Sequence, residues 1–173
     1  MHPLLKTLKG TDRRSIGDVD RVVSKVMNDP ELFGIVFDGM LDDDPVIRMR
    51  CADAVEKITL THPDLLLPHK NRLIEKIASV EQQEVRWHIA QLFSRVKWNP
   101  DERRRVRDIL WTYLADESKI VKTFSMQALA DLAEIDADLR EPIVRELEEL
   151  TRNGSPAMRS RGRKLLAKLK NKD

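Results

Sequence analysis

Apolar residues recur along this chain at intervals of three and four, and proline with a preceding polar residue marks the breaks between the runs. After Ser15, the residues Ile16, Val19, Val22, Val23 and Val26 form one helical stripe. Asp29-Pro30 restarts the chain, with proline in the first helical position where its missing N–H costs little. Leu32, Phe33, Ile35, Val36 and Met40 follow. Asp44-Pro45 repeats the signal before Val46, Ile47, Cys51, Ala54, Val55 and Ile58. His62-Pro63 ends that stripe, because the residue before proline is pushed out of the α region. Leu66, Leu67, Leu73, Ile74 and Ile77 come next, then Val85, Ile89, Leu92, Phe93 and Val96. Asn99-Pro100 opens a stripe through Val106, Ile109, Leu110, Tyr113 and Leu114. Ile120, Val121, Phe124, Ala128, Leu129 and Leu132 form another. The run from Ile135 to Arg152 adds one more, with Pro142 as a candidate for its first turn. Asn153-Gly154 is a helix stop and Ser155-Pro156 a helix start. No segment alternates at period two, so strands are not expected.

The second helix of each pair repeats. Pro45 to Ile58 reads PVIRMRCADAVEKI, Gln83 to Val96 reads QEVRWHIAQLFSRV, Lys119 to Leu132 reads KIVKTFSMQALADL, and Pro156 to Leu169 reads PAMRSRGRKLLAKL. Arg48, Arg86, Lys122 and Arg159 share a column, spaced 86−48=38, 122−86=36 and 159−122=37 residues. Ile47, Val85, Val121 and Met158 precede them; Val55, Phe93, Leu129 and Leu166 align, as do Ile58, Val96, Leu132 and Leu169. A period in the high thirties with two helices per unit predicts an α-solenoid, in which each pair buries its apolar face only against its neighbours.

Over roughly residues 30 to 170 the pattern resembles HEAT repeats, carried by the turn acid, the apolar-then-basic pair and the small residue at Ala52 in DDDPVIRMRCADAVEKI. The resemblance implies an all-α fold, a right-handed α-α superhelix of about four helix pairs with Ser15–Asn28 as an N-terminal capping helix. Residues 1–14 read as a loose arm, 15–170 as a single repeat domain and 171–173 as a tail. HEAT arrays are mostly binding scaffolds, so the expected function is a non-catalytic protein-interaction scaffold and no enzyme. The family also includes bacterial alkylpurine DNA glycosylases, which set aromatic residues with a carboxylate and an arginine around the lesion. Trp87 and Arg86 match part of that pattern, and no carboxylate takes a matching position in the sequence.

The basic column has two readings. In HEAT repeats an acid in the turn, six residues before the basic position, commonly pairs with the basic side chain of an adjacent repeat. Counting back six gives Asp42, Val80, Asp116 and Asn153, so a structural ladder here is at best partial. The other reading is a strip for phosphates or for an acidic partner segment, widened by Arg50, His88, Arg161 and Arg163. After Ser155, seven basic residues ending at Lys172 face only Asp173, which suits either a polar capping face or an extension of the strip. The seven acids from Glu134 to Glu149 can neutralise that tail or form a separate acidic surface.

Composition narrows the class. The chain of 173 residues is 35 % charged and 5 % aromatic with 6 glycines, which suits a thin helical fold. Its net charge of only +2 implies no polyanion partner by itself. The lone Cys51 excludes an intrachain disulfide and fits a reducing compartment. The first ten residues hold no apolar core of the signal-peptide kind, and no run approaches the ~18 apolar residues of a membrane span. A soluble cytoplasmic protein is expected.

Trp87 and Trp98 are eleven residues apart and would share one side of an unbroken helix. Beside Arg86 and His88, Trp87 can anchor a partner peptide or stack a base, or it can pack at the edge of an inter-repeat groove. Trp111 reads as core. Cys51, aligned with Ile89, Ser125 and Gly162, reads as a buried hydrophobe at a tight helix contact. His2, His62, His69 and His88 form no metal-ligand motif, so no metal or cofactor is expected. The candidate partner-binding residues are therefore Arg48, Arg50, Arg86, Trp87, His88, Trp98, Lys122, Arg159, Arg161 and Arg163. The expected partner is a protein or peptide, with nucleic acid as the alternative and no membrane or small-molecule substrate.

Overall fold

The polar-residue–proline signals open helices where the sequence puts them. In the computed structural model, which describes residues 1–12 and 15–171, Asp44 Oδ1 accepts from Val46 N at 2.8 Å and caps α4, Pro45–Thr61. Asn99 and Glu102 form a reciprocal capping box on α7, Pro100–Leu114. Ser118 caps α8, Lys119–Ile135, and Ser155 caps α10, Pro156–Lys170. Asp136 caps α9, Ala137–Asn153, through the Asp138 N–H. No strand occurs among the described residues. The fold is all-α, of the solenoid class of stacked helix pairs.

The chain forms two compact units, Met1–Val96 and Lys97–Asp173. In the first, α1 is Pro3–Lys6, α2 Val19–Asn28, α3 Phe33–Asp38, α5 Lys70–Glu75 and α6 Gln83–Phe93. Helix α4 is its centre, packed against α2, α3 and α6. The first helices of these two pairs are short and run into 3₁₀ turns at Pro30–Leu32, Gly39–Leu41, Pro63–His69 and Ile77–Ser79. In the second unit α8 packs against α7, α9 and α10, and α9 packs against α10.

The aligned columns are the core. Ile47, Val85, Val121 and Met158 are buried, as are Ile58, Val96, Leu132 and Leu169. Cys51, Ile89 and Ser125 are fully buried, with Gly162 buried in the same column. Leu166 is the half-buried exception among the matched apolar positions.

Several local expectations change. Helix α2 begins at Val19, so Ile16 lies outside it and is 47 % exposed. The segment read as a loose arm contains α1 and buries Leu4, Leu5 and Leu8 against the first unit; the proposed boundary at residue 14 lies outside the described residues. Pro142 sits inside α9, five residues past its start, rather than in its first turn. Ile120 is exposed and Trp111 half-buried.

Candidate functional site

Arg48 and Arg86 stand at equivalent places on α4 and α6 and do the same thing. The Arg48 guanidinium donates to the carbonyl of Asp42 at 2.8 Å, and Arg86 Nε donates to the carbonyl of Val80 at 3.1 Å. Each closes onto the backbone six residues earlier, so the side chain there need not be acidic. Asp42 and Asp116 use their carboxylates differently: Oδ1 of each accepts the amide two residues on, at 2.9 Å from Asp44 and 2.8 Å from Ser118. The link between repeats runs through Gln82, whose Oε1 accepts from Arg48 Nε at 2.9 Å and whose Nε2 donates to Pro45 O at 2.8 Å.

Arg50 differs from the surface cation that the sequence suggested. It is 4 % exposed and donates to four backbone carbonyls: Leu8 and Lys9 at 2.9 Å, Ser15 at 3.0 Å and Asp12 at 3.2 Å. One guanidinium thus folds the N-terminal segment onto α4. Gly17, at φ +54°, lies against it, and a Cβ there would come within 2.8 Å of the guanidinium.

These anchors frame a cleft of about 500 Å³ in the first unit. Helix α4 contributes Met49, Arg50 and Asp53, and α6 contributes Glu84, Trp87 and His88. Ser15 and Ile16 close its rim. Trp87 is half-buried, with its ring centroid 5.7 Å from that of His88. Behind the cleft lies a charged network. Lys57 Nζ is 2.9 Å from Asp20 Oδ1 and 3.3 Å from Asp53 Oδ2, and Arg95 pairs with Glu56 while donating to Thr59 Oγ1 at 2.8 Å. Burial pushes the His88 imidazole below its ordinary value, against the pull of Asp53 and Glu56. Burial would lower Lys57 too, but its hydrogen bond to Asp20 and the Asp53 charge outweigh that and raise it. Among the described residues His88 Nδ1 is buried without a hydrogen-bond partner, while Asp53 Oδ2 has the Lys57 ammonium beside it. Asp53, Glu56 and His88 bring ligand atoms within 4.8 Å of one another, close enough to share a metal ion. Lys57 and Arg95 already neutralise the two carboxylates, so the arrangement works as an ion-pair network without one.

The remaining candidates lie in the second unit. Trp98 is 4 % exposed. Because α6 ends at Phe93, Trp87 and Trp98 do not share a helix face. Lys122 lines a groove with Glu117, Glu149 and Asn153. Arg161 donates to Gln127 Oε1 at 2.9 Å, and Arg159 and Arg163 are exposed. Lys168 pairs with Glu134, so the C-terminal basic run meets the acidic stretch at one point; Lys172 lies outside the described residues. The structure thus gathers Arg50, Trp87 and His88 at one cleft of the first unit; Lys122, Arg159 and Arg163 belong to the second unit. Sequence reasoning missed Asp53 and Glu84. Their signal was present: Glu84 with Trp87 and His88, and Met49 with Asp53, are i, i+3 or i, i+4 sets on helices whose registers the repeat had already matched.

The HEAT repeat domain family matches residues 6–169. The chain belongs to that family. A search of curated proteins finds no match to the sequence. Among solved structures, a crystal structure of an engineered protein from the Northeast Structural Genomics Consortium is similar, with a TM-score of 0.66 and 16 % identity over 97 % of this chain and 78 % of that one. At that identity the likeness is one of fold alone. No described helix is long and apolar enough to cross a membrane.

Proposed function

We propose that this protein is a non-catalytic interaction scaffold that binds a protein or peptide in the cleft between α4 and α6. The carrying observation is the cleft itself: a half-buried tryptophan in a concavity with apolar walls and a few polar groups, built on two helices that Arg48 and Gln82 link, with Arg50 tying the N-terminal segment to the first of them. The buried Cys51 thiol suits work in the cytoplasm.

The carboxylates at the cleft favour a polypeptide over a nucleic acid. Asp53 now supplies the carboxylate beside an aromatic residue that the glycosylase comparison lacked. The arginines near it are committed inward, Arg50 to four carbonyls and Arg86 to Val80 O. The nucleic-acid reading keeps one supporting observation, the exposed Arg159 and Arg163 on α10.

Affinity capture from an extract of the source cells, with the wild-type chain and Trp87→Ala side by side, tests the scaffold. Partners held by the wild type should be lost from the variant; undiminished capture of all of them would remove the cleft from the interaction. Fluorescence anisotropy with labelled duplex and single-stranded oligonucleotides, at about 50 and about 200 mM salt, tests the second reading. The expected result is no binding at the higher salt. Micromolar binding that weakens with salt and is lost in Arg159→Gln/Arg163→Gln would establish a phosphate-binding face on α10.

A further inference from the structure

We propose that the α4–α6 cleft accepts a cationic side chain, arginine or lysine, of its polypeptide partner. This rests on the cleft being the interaction surface and adds the chemistry of what enters it. Three observations carry it. Glu84, one turn before Trp87 on the same face of α6, makes no ion pair or hydrogen bond with any other described residue. Asp53 stands on the opposing helix, its side chain 18 % exposed, and its near cation Lys57 is shared with Asp20. Trp87 offers a half-buried indole between them.

Lys57 balances Asp53, so the carboxylate of the lining with no ion pair among the described residues is Glu84. All three nitrogens of the Arg50 guanidinium donate to backbone carbonyls, so its hydrogen-bonding capacity points into the N-terminal segment. His88 is held toward its neutral form by burial. What the cleft leaves unsatisfied is therefore the Glu84 carboxylate, on the same helix as the half-buried Trp87. That combination recognises an ammonium or guanidinium through charge-assisted hydrogen bonds and the ring quadrupole. A phosphate or carboxylate would instead meet the Glu84 carboxylate, with the Arg50 donors already taken by backbone carbonyls. The exposed Ile16 and the largely buried Met49 supply an apolar wall for the methylene stem that carries such a head group. The volume of about 500 Å³ admits one long side chain with its flanking backbone.

The test uses the full chain and the indole N–H resonances of its three tryptophans, assigned with Trp87→Phe, Trp98→Phe and Trp111→Phe. The probes are acetyl-Gly-Arg-Gly-amide, its citrulline counterpart, which keeps the shape and loses the charge, and acetyl-Gly-Leu-Gly-amide. The arginine peptide should move the Trp87 resonance saturably, about tenfold more tightly than the citrulline peptide. Glu84→Gln, at a position with no ion pair or hydrogen bond to another described residue, should weaken the arginine peptide by about three- to fivefold. Equal binding of arginine and citrulline peptides, unchanged binding in Glu84→Gln, or no movement of Trp87 would each overturn the inference. Saturable binding of the leucine peptide alone would also overturn it, while leaving the cleft as a peptide site.

Discussion

Arg50 carries more of the fold than its place in a row of basic residues suggests. Removing its side chain leaves the carbonyls of Leu8, Lys9, Asp12 and Ser15 without their donor. Arg50→Ala should cost about 3 kcal/mol, the scale for losing charge-assisted bonds in a buried setting. Arg50→Lys should recover little, since one ammonium cannot span donors set out as a planar fork. Urea unfolding measures the loss, and faster amide exchange at Leu4, Leu5 and Leu8 locates it; wild-type stability in Arg50→Ala would contradict this account. Histidine sets the pH response. Burial lowers both His88 and His69, the latter with its ring 4.6 Å from that of Phe37. The unfolded chain then binds these protons more tightly than the folded one. Stability should decline as pH falls through the unfolded value near 6.5 and level off below the folded values. Unfolding midpoints at about pH 8 and about pH 5 should show the decline, and His88→Gln should flatten it. None of this separates Arg50 from Arg48 in the sequence. The partners of Arg50 lie 35 to 42 residues away, in a segment whose apolar residues are too few to show a period.

At the scale of elements, contact between helices depends on small residues at the aligned column. Cys51 packs so closely on the turn after α3 that a Cβ on Gly39 would lie 2.4 Å from its Sγ. Gly39→Ala should destabilise by about 1–3 kcal/mol through overpacking. Adding Cys51→Ala should recover part of that, and the coupling is read from a double-mutant cycle; additive losses would contradict direct contact. Burial also raises the Cys51 thiol well above its ordinary value, aided by Asp42. Disulfide reagents should therefore fail to label the native protein and label it fully in denaturant. Helix starts were legible because proline and its capping residue act locally. The end of α6 was not. Val96 continues the apolar spacing and is buried, yet the helix stops at Phe93. Arg95, just beyond that end, donates to Thr59 Oγ1 on α4, a contact that no local spacing encodes. The consequence for the site was direct, because a longer α6 would have put Trp98 on the same face as Trp87.

At the scale of the molecule, the 36- to 38-residue period identified the fold class, since each period marks one helix pair and the columns mark its buried face. The sign of the candidate surface was less accessible. A column of arginines reads as a positive strip, but hydrogen bonding turns Arg48, Arg50 and Arg86 toward backbone carbonyls, and the carboxylates of Asp53 and Glu84 remain at the cleft. The period continues across residues 96–97 without a sequence break, so one cooperative domain over 15–170 remains the expectation for equilibrium unfolding. Far-ultraviolet circular dichroism and tryptophan fluorescence should report coincident urea transitions. Two separated transitions would assign independent stability to Met1–Val96 and Lys97–Asp173.

The use of a carbonyl six residues upstream, rather than a carboxylate, bears on how such chains drift. A main-chain oxygen is supplied by every amino acid, so the turn at Val80 is held by Arg86 whatever letter stands there. The arginine carries the constraint and its partner position is free to vary. A search keyed to the turn acid will pass over repeats of this kind, whereas one keyed to the apolar–basic pair and the small residue behind it will find them.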